Sequence, residues 1–596
     1  MEFDNLFIIG GVDSKVKIEI YKNSKVIFID KEQDGYPNTI SLIKDFQEKQ
    51  NLLRENWLNF QEQVFNKIKP RLDKDEDFYY LLSNLFFEAS PNKTHSIFKF
   101  FKIRLIIDYI KSKKIKNLFL YNVSKDIETF FYLNKENLNF SVKTLKLKKK
   151  NFFTKKFFKD LAKEYFISSI FQRFVDEYKK RRKKISYPRS KSNKVVFSYY
   201  YPGGQSFKNS FSSKYFEKAS SLLNGKYDWL FLYIGNFTKL RKENELITKN
   251  FSSFGFLDFY FSLTDFYKII LDFYRVRKKF KSIKYKNFFI FEELDYLSLI
   301  EKDWSVSMSI LLLDQIIFEK KISNFFKKNS QINEAIYLLE FQPWEHIFNK
   351  VAKKNNIKTK GVIHSVVRPN VMNYYHSKKI HPYLFMPSYV GVNSDFSRSL
   401  MIKNGFKVDQ ILKIEAQRFN YILQNKSKIN SDKSRLRKKI LIITSIIHNE
   451  TKELLEFFAS VNIKFEKVYI KEHHLFKVEP IIKSSIKNFP SFEIFNGTIA
   501  DAFELSDIVF TANGSSVLLE SVVNKKETIS VISLSSLPIP AIDKASNLHF
   551  VNDTNSFSKI LKKLTEMPVD KVINNESSNY LYLNDELSLW QDFLNK

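Results

Sequence analysis

Short apolar runs alternate with longer amphipathic segments along most of the chain. Apolar runs at 195–201, 229–233 and 335–339 are separated by segments in which apolar residues recur at helical intervals. A strand that is buried on both faces of a parallel sheet reads as such a continuous run. The pattern therefore predicts an α/β fold with doubly wound parallel sheets, in which ligands bind beyond the carboxyl ends of the strands.

The same order of elements begins again near residue 439 and continues to about residue 532. Before the basic run 178–184, the chain opens with short strands, then long helical patterns and a further strand at 117–121. A length of 596 residues fits about three domains of roughly 100–200 residues each. We predict two tandem Rossmann-like domains, 191–430 and 431–596, the second ending in a C-terminal helix, and an additional N-terminal α/β domain, 1–190.

Composition limits the classes of protein to which the chain can belong. Hydrophobic residues make up 44% of it, including 61 Phe and 30 Tyr, so we expect large cores and little disorder. The absence of cysteine excludes disulfides and thiolate metal sites. A formal charge of +32 usually suggests nucleic acid or an anionic membrane, but the joint abundance of Lys, Asn, Ile and Phe is typical of compositional bias. We expect no nucleic-acid partner.

The start of the chain and its apolar runs predict a cytoplasmic protein. Residues 1–5 lack the basic start and apolar core of a signal peptide. The strongest apolar run, 310–318, is interrupted by Asp314 and is far shorter than the roughly 20 apolar residues that span a bilayer.

The stretch 507–524 predicts an anion site at the start of a helix. An apolar run ends at a small polar turn, and helical spacing resumes after it. The turn consists of Asn513, Gly514, Ser515 and Ser516. The first N–H groups of a helix have no partner within the helix, so they and the helix dipole favour a phosphate. Glu520, one turn further on, can accept hydrogen bonds from a sugar hydroxyl, although an ordinary serine-capped helix start has the same pattern.

Polar residues also follow two strands of the middle domain. Glu340 and Glu345 flank a strand-to-helix turn and can face the cleft between the domains, where a carboxylate can act as general base on a hydroxyl. Glu345 also suits the first turn of a helix for purely structural reasons. After the next strand, His364 and Arg368 can bind an anionic group or polarise an acceptor, and a structural histidine fits the same pattern.

Lys471 and His473 follow the strand 467–470 and can hold a phosphate together with the turn at Ser515. Adjacent histidines do not easily share one ion, and no His, Asp or Glu spacing completes a metal site, so we expect no metal. The patterns GxxxxGK[ST] and GxGxxG are absent from the sequence, which removes the main support for an ATPase or a dehydrogenase.

The Lys-x-His element at 471–473 and the Gly-Ser-Ser-x-x-x-Glu turn at 514–520 resemble the donor-binding half of GT-B glycosyltransferases. They are most similar to enzymes that use CMP-activated sialic acid or Kdo, in which these elements are called the HP and SS motifs. A further set of residues resembles a bacterial surface-carbohydrate family that builds O-antigen or capsule. This set is Trp304, Glu340-x-Gln342-x-Trp344-Glu345, Gly361-x-x-His364, Pro387, Val392-Asn393, Gly405-Phe406 and 585–590. The resemblance covers about residues 195–596.

The resemblance implies a metal-independent glycosyltransferase that moves a CMP-linked sugar, sialic acid or Kdo in the first instance, to a bacterial surface glycan such as lipopolysaccharide or capsule. The nucleotide sugar is a substrate, and no cofactor is implied. The acceptor belongs to 191–430, with Glu340, Glu345 and His364 as catalytic candidates and Arg368 as an anion or acceptor ligand. The donor belongs to 431–596, through Lys471, His473, Asn513, Gly514, Ser515, Ser516 and Glu520.

Other readings stay open. His474 stands where the HP motif has proline, and teichoic-acid polyol-phosphate transferases use similar elements on the same fold, so UDP-sugar, GDP-sugar and polyol-phosphate donors are alternatives. A non-catalytic GT-B-like protein that binds glycan or membrane is the alternative from another class. The family implies work at the inner face of the cytoplasmic membrane, and the Lys- and Phe-rich segment 146–165 predicts peripheral contact with anionic lipid, although such a stripe is also typical of a core.

Overall fold

The computed structural model places most of the chain in three α/β units. It describes residues 4–10, 24–30, 38–90, 93–145, 192–201, 205–206, 211–234, 240, 242–243, 245, 254–261, 263–283, 285–368, 371–425, 436–445, 447–473, 477–486, 489–513, 515–532, 545–568 and 580–596. The segment 146–165, the strand predicted at 16–21, His474 and Gly514 lie outside the described residues.

Each unit contains one parallel sheet, in which the third, second, first, fourth and fifth strands of the unit are neighbours in that order. In spatial order, the first sheet is Thr39–Ile40, Ser24–Phe28, Asn5–Ile9, Asn117–Tyr121 and Ser141–Leu145. The middle sheet is Phe254–Phe256, Asp228–Tyr233, Lys194–Tyr200, Glu334–Leu338, Lys358–Val362, Tyr389–Val392 and Ile411–Lys413. The third sheet is Glu493–Ile494, Lys467–Lys471, Lys439–Ile443, Ile508–Ala512, Glu527–Val531 and Leu548–Val551.

Helices cover these sheets, as the alternating pattern predicts. In the first unit they are Leu42–Leu72, Tyr79–Leu82, Leu85–Glu88, His95–Lys113 and Lys125–Asn134. In the middle unit they are Ser220–Leu223, Leu263–Lys281, Leu297–Ser307, Ile310–Lys328, Pro343–Lys354, Asp395–Asn404 and Tyr421–Asn425. In the third unit they are His448–Ala459, Val478–Ser485, Ile499–Leu505, Val517–Val523 and Thr554–Thr565, and Ser588–Asn595 ends the chain. The predicted α/β class with tandem doubly wound sheets is confirmed. No helix among the described residues has both the length and the apolarity to cross a bilayer.

The first and middle units share one hydrophobic core. The ring of Phe60 in the first unit packs against Phe289, Phe291 and Tyr296 of the middle unit. Apart from Ile532, every buried member of this cluster precedes residue 412. The N-terminal unit therefore packs as part of a larger body, whereas periodicity alone suggested an α/β unit of its own.

The C-terminal helix Ser588–Asn595 returns to the middle unit. Trp590 and Phe593 are buried in the core on the far face of the middle sheet. The buried carboxylate of Glu415 accepts the N–H groups of Leu589 and Trp590, at 2.8 and 2.9 Å. At the other end, the Lys360 ammonium donates to the Leu594 carbonyl at 3.0 Å, where a cation also complements the helix dipole.

Lys360 also explains why one strand begins earlier than predicted. The apolar pattern predicts a strand at 361–363, but the strand is Lys358–Val362. A charged residue such as Lys360 is not expected inside a buried strand. Its side chain is nevertheless fully buried, because the ammonium lies 3.1 Å from the Glu334 carboxylate and binds the C-terminal helix. Long-range pairing of this kind offsets the cost of burying the charge.

We expect Trp590→Ala to lower the free energy of unfolding of the middle unit by about 3–5 kcal/mol, because it leaves a large cavity in a closed core. Urea unfolding followed by circular dichroism measures this loss. Gln591→Ala, at an exposed position of the same helix, is the matched control. An equal unfolding midpoint for the two variants would show that the helix is not anchored through Trp590.

Candidate functional site

A cleft of about 730 Å³ opens between the middle and third sheets. Its walls come from the carboxyl ends of strands in both sheets and from one edge of the N-terminal unit. Of the predicted site residues it is lined by Glu340, Arg368, Lys471, His473, Ser515, Ser516 and Glu520. The structure thus brings the predicted acceptor and donor residues to a single space.

The cleft lies at the point where strand order reverses in each sheet. Glu340 follows Glu334–Leu338, the fourth strand of the middle sheet, which is next to the first strand, Lys194–Tyr200. Across the cleft, Thr444 and Ser515 follow the first and fourth strands of the third sheet. Loops after such neighbouring strands diverge to opposite faces and leave a crevice for a ligand. Two Rossmann-order sheets that face each other in this way form the GT-B fold.

The turn after Leu338 has an unusual backbone conformation. Phe341 has a φ of 55°, in the left-handed region that a bulky residue rarely adopts. The Glu345 carboxylate accepts the N–H groups of Glu340, at 3.0 and 3.1 Å, and of Phe341, at 2.8 Å. Glu345 is 1% exposed, so it does not face the cleft as the sequence suggested. Burial, and secondly the charge of Glu340, raise the pKa of Glu345 well above its usual range, while the backbone N–H groups act in the opposite direction.

Glu340 itself points into the cleft, with 30% of its side chain exposed. One of its oxygens accepts a hydrogen bond from the Gln342 amide, and the other lies 3.5 Å from Nε2 of His364. The Asn373 amide binds the Glu340 carbonyl at 2.6 Å and so fixes the main chain. Glu340 is thus a carboxylate on a rigid turn, open to a substrate hydroxyl.

His364 sits behind Glu340 as a neutral imidazole. Burial lowers the pKa of His364 to about 4, and the Glu340 carboxylate only partly offsets this. The ring packs edge-on against Tyr215, with 5.1 Å between ring centroids, and its buried Nδ1 has no hydrogen-bond partner among the described residues. A neutral His364 can orient Glu340 or a hydroxyl, but it brings no charge to an anion at pH 7.

Arg368 supplies a partly buried positive charge on this side of the cleft. Burial lowers the pKa of Arg368 to about 10, so the guanidinium stays charged at pH 7. The neighbouring acids Glu450 and Glu520, both from the third unit, favour the charged form. Arg368 therefore lies where a group carried by either unit can meet it.

The donor side combines cations with a helix start. Ser516 precedes the helix Val517–Val523, and the Ser515 hydroxyl accepts the Val517 N–H at 3.3 Å. Lys471 lines the cleft while its ammonium donates to the Gly497 carbonyl at 2.5 Å. The His473 N–H donates to the Thr444 hydroxyl at 2.7 Å, which joins the ends of two strands. Cationic and hydroxyl donors at one sheet edge suit a phosphate.

Two other predicted donor residues are differently engaged. Asn513 is 1% exposed and lies beneath the cleft surface, where its N–H donates to the Val531 carbonyl at 3.2 Å. Glu520 reaches the cleft, but one of its oxygens accepts the Tyr421 hydroxyl at 2.6 Å. Its remaining oxygen, 3.5 Å from the Ser516 hydroxyl, is the one placed to meet a sugar hydroxyl.

Sequence reasoning missed several residues that line the cleft. They are Lys214, Arg418, Thr444, Ser445, Glu450, and, from the N-terminal unit, Glu88, Ser90, Lys93 and Phe98. Thr444 and Ser445 follow the first strand of a Rossmann-like sheet, so the strand-order rule marks their position from sequence. Lys214 lies 4.2 Å from the ring centroid of Tyr201, and that contact has no local sequence signal.

No protein-family model matches the chain, and no curated protein sequence matches it. The structure is similar to the UDP-GlcNAc 2-epimerase of Neisseria meningitidis bound to UDP-GlcNAc, with 11% identity and a TM-score of 0.39 over 67% of this chain and 99% of that chain. It is also similar to the wall teichoic acid polymerase TagF, with 11% identity and a TM-score of 0.32 over 74% of this chain and 98% of that chain. Its similarity to MurG of Acinetobacter baumannii has 11% identity and a TM-score of 0.36 over 67% of this chain and 98% of that chain. At these values the GT-B assignment rests on the strand order and the cleft of this chain itself.

Among the described residues, no group of three or more His, Asp or Glu side chains could hold a metal ion. The acids of the GT-B cleft are instead bound to protein partners. Glu472, for example, accepts the Val478 N–H at 2.7 Å and lies 2.9 Å from the Lys477 ammonium.

We expect His364→Gln to reduce the acid sensitivity of stability. Between the unfolded pKa of about 6.5 and the folded pKa of about 4, the unfolded chain binds a proton that folded His364 does not, so stability is lost as the pH falls through this window. When the pH falls from 7 to 5, the free energy of unfolding of the wild type should decrease by about 2 kcal/mol more than that of the variant. Urea unfolding at both pH values measures it, and identical losses for the two proteins would exclude a buried, neutral His364.

Proposed function

We propose that the chain is a GT-B glycosyltransferase that moves a sugar from a nucleotide donor to a bacterial surface glycan without a metal ion. One observation carries this proposal. A single cleft has the open carboxylate of Glu340 on one wall and Lys471, His473 and Ser515, side chains that suit a phosphate, on the other. Such a pairing fits attack of a hydroxyl on a sugar whose leaving group is a phosphate.

In this proposal Glu340 takes the proton of the acceptor hydroxyl, and His364 with Gln342 holds the carboxylate in place. As the bond from the sugar to the nucleotide phosphate breaks, negative charge grows on the phosphate. Arg368, Lys471 and His473, together with the hydroxyl groups of Ser515 and Ser516, stabilise that charge. These groups perform the task that a divalent ion performs in other transferases.

The donor that the motif resemblance favours is CMP-linked sialic acid or Kdo, and UDP-sugars, GDP-sugars or polyol-phosphate donors are outcomes of the same test. The acceptor is a glycan, free or lipid-linked, reached from the cytoplasmic face of the membrane. Purified protein incubated with each donor, with and without EDTA, and assayed for nucleotide release tests the proposal. Release from at least one donor that persists with EDTA is expected. No turnover of any donor, or complete loss with chelator, contradicts it.

Within the same assay, we expect Glu340→Gln to lower turnover by about 10²–10⁴-fold, the usual contribution of general acid–base catalysis. Donor affinity measured by calorimetry should stay within a factor of about two, because Glu340 lies on the opposite wall. Glu479→Gln, a substitution of an exposed acid paired with Lys483, is the control. Wild-type turnover in Glu340→Gln would exclude Glu340 as the general base.

On the donor side, we expect His473→Ala to weaken nucleotide binding, and Ser515→Ala combined with Ser516→Ala to do the same. Each change removes hydrogen bonds to a charged phosphate worth about 1.5–3 kcal/mol, so affinity should fall about tenfold or more. Calorimetry with CMP, CDP, UDP and GDP measures the loss and identifies the base. If affinity for every nucleotide is unchanged in both variants, the phosphate does not bind at this edge of the third sheet.

A further inference from the structure

The N-terminal unit reaches into the cleft at one corner. Glu88, Ser90, Lys93 and Phe98 line it beside Glu340 and Gln342. Glu88 ends the helix Leu85–Glu88, Phe98 lies near the start of the helix His95–Lys113, and Ser90 and Lys93 lie between these two helices. Neither the motif resemblance nor the proposed function assigns them a role.

Lys93 connects this corner to the reactive side of the cleft. Its ammonium donates to Glu88 at 2.8 Å and to the Gln342 side-chain oxygen at 3.1 Å. The Gln342 amide in turn donates to the Glu340 carboxylate. One side chain therefore separates Lys93 from the carboxylate that faces the acceptor. Among the described residues Glu88 and Gln342 are the two acceptors of Lys93, so one of the three N–H donors of the ammonium is open to a ligand, and 45% of the Lys93 side chain is exposed.

The corner is held rigidly on the middle unit. The Ser96 N–H donates to the Asp303 carboxylate at 2.8 Å, and the Leu85 N–H donates to the Ser307 hydroxyl at 3.1 Å. The Glu88 side chain is 2% exposed, so its charge is compensated chiefly by Lys93. A buried acid that orients an exposed lysine is a fixed binding element, since the lysine loses little freedom when a ligand binds.

We propose that this corner is an acceptor subsite, in which Lys93 and Phe98 bind the sugar ring whose hydroxyl Glu340 activates. The proposal rests on the function proposed above and adds the N-terminal unit to it. A sugar presents hydroxyl oxygens that accept from an ammonium, and its apolar C–H face suits the ring of Phe98. Lys93 and Glu340 contact the two ends of the same Gln342 side-chain amide, so both are close enough to meet one ligand.

Direct binding tests the subsite without relying on turnover. The full-length protein is titrated with short oligosaccharides that end in a neutral hexose, an N-acetylhexosamine or a hexuronic acid, and binding is followed by saturation-transfer NMR. We expect one of these classes to bind wild type, and Lys93→Met and Phe98→Ala each to weaken it about tenfold, since a hydrogen bond to a charged group is lost in the first case. Lys99→Met is the matched control, because Lys99, on the helix His95–Lys113, pairs with Asp126 of the helix Lys125–Asn134 and is not among the residues that line the cleft.

The kinetic readout separates this proposal from the proposed function. In the glycosyltransferase assay Lys93→Met should raise the acceptor KM about tenfold while donor affinity and donor hydrolysis without acceptor stay at wild-type values. If wild type turns over no donor, the proposed function fails, and the oligosaccharide titration still decides the subsite. The subsite is overturned if wild type binds none of the three classes, or if Lys93→Met and Phe98→Ala bind as wild type does.

Discussion

Reversal of strand order in the two facing sheets is the constraint on which the site depends. Because crossover connections are right-handed, the chain leaves the first strand on one face and reaches the fourth strand from the other, so the loops after these strands diverge. The middle sheet places Glu340 at this gap, and the third sheet places Thr444 and Ser515 at its own. Regular strands of the two sheets therefore carry these three residues to the cleft.

Electrostatics and backbone geometry cooperate at the turn after Leu338. The left-handed Phe341 would be costly by itself. It is retained because the Glu345 carboxylate binds its N–H and because the Phe341 ring is buried, 4.5 Å from the ring of His376. The buried acid therefore serves the exposed one: Glu345 holds the main chain so that Glu340 is presented to the cleft. Of these two carboxylates, five residues apart, one holds the backbone and the other is the base of the proposed reaction.

Sequence predicts those parts of this structure that depend on local pattern. Apolar spacing predicts the bounds of the strands Asn117–Tyr121 and Tyr389–Val392. Apolar spacing together with Pro343 predicts the helix Pro343–Lys354. The local pattern does not predict the short strands Phe254–Phe256 and Ile411–Lys413, because their hydrogen bonds are made with strands elsewhere in the chain. Likewise, spacing brings Glu340 and Glu345 to one turn but does not tell which carboxylate turns inward. The contribution of Lys93 to the cleft is invisible from sequence, since it depends on how two units pack.

The shared core of the first two units determines how the cleft can change its width. Rings such as Phe60 and Tyr296 interlock across the boundary, so these units move as one block. The third unit meets that block through a small cluster in which Phe419 and Ile422 pack against Leu518 and Val522. A rotation of the third unit about this cluster would change the distance from Lys471 and Ser515 to Glu340, whereas the spacing from Lys93 to Glu340 is set within the block.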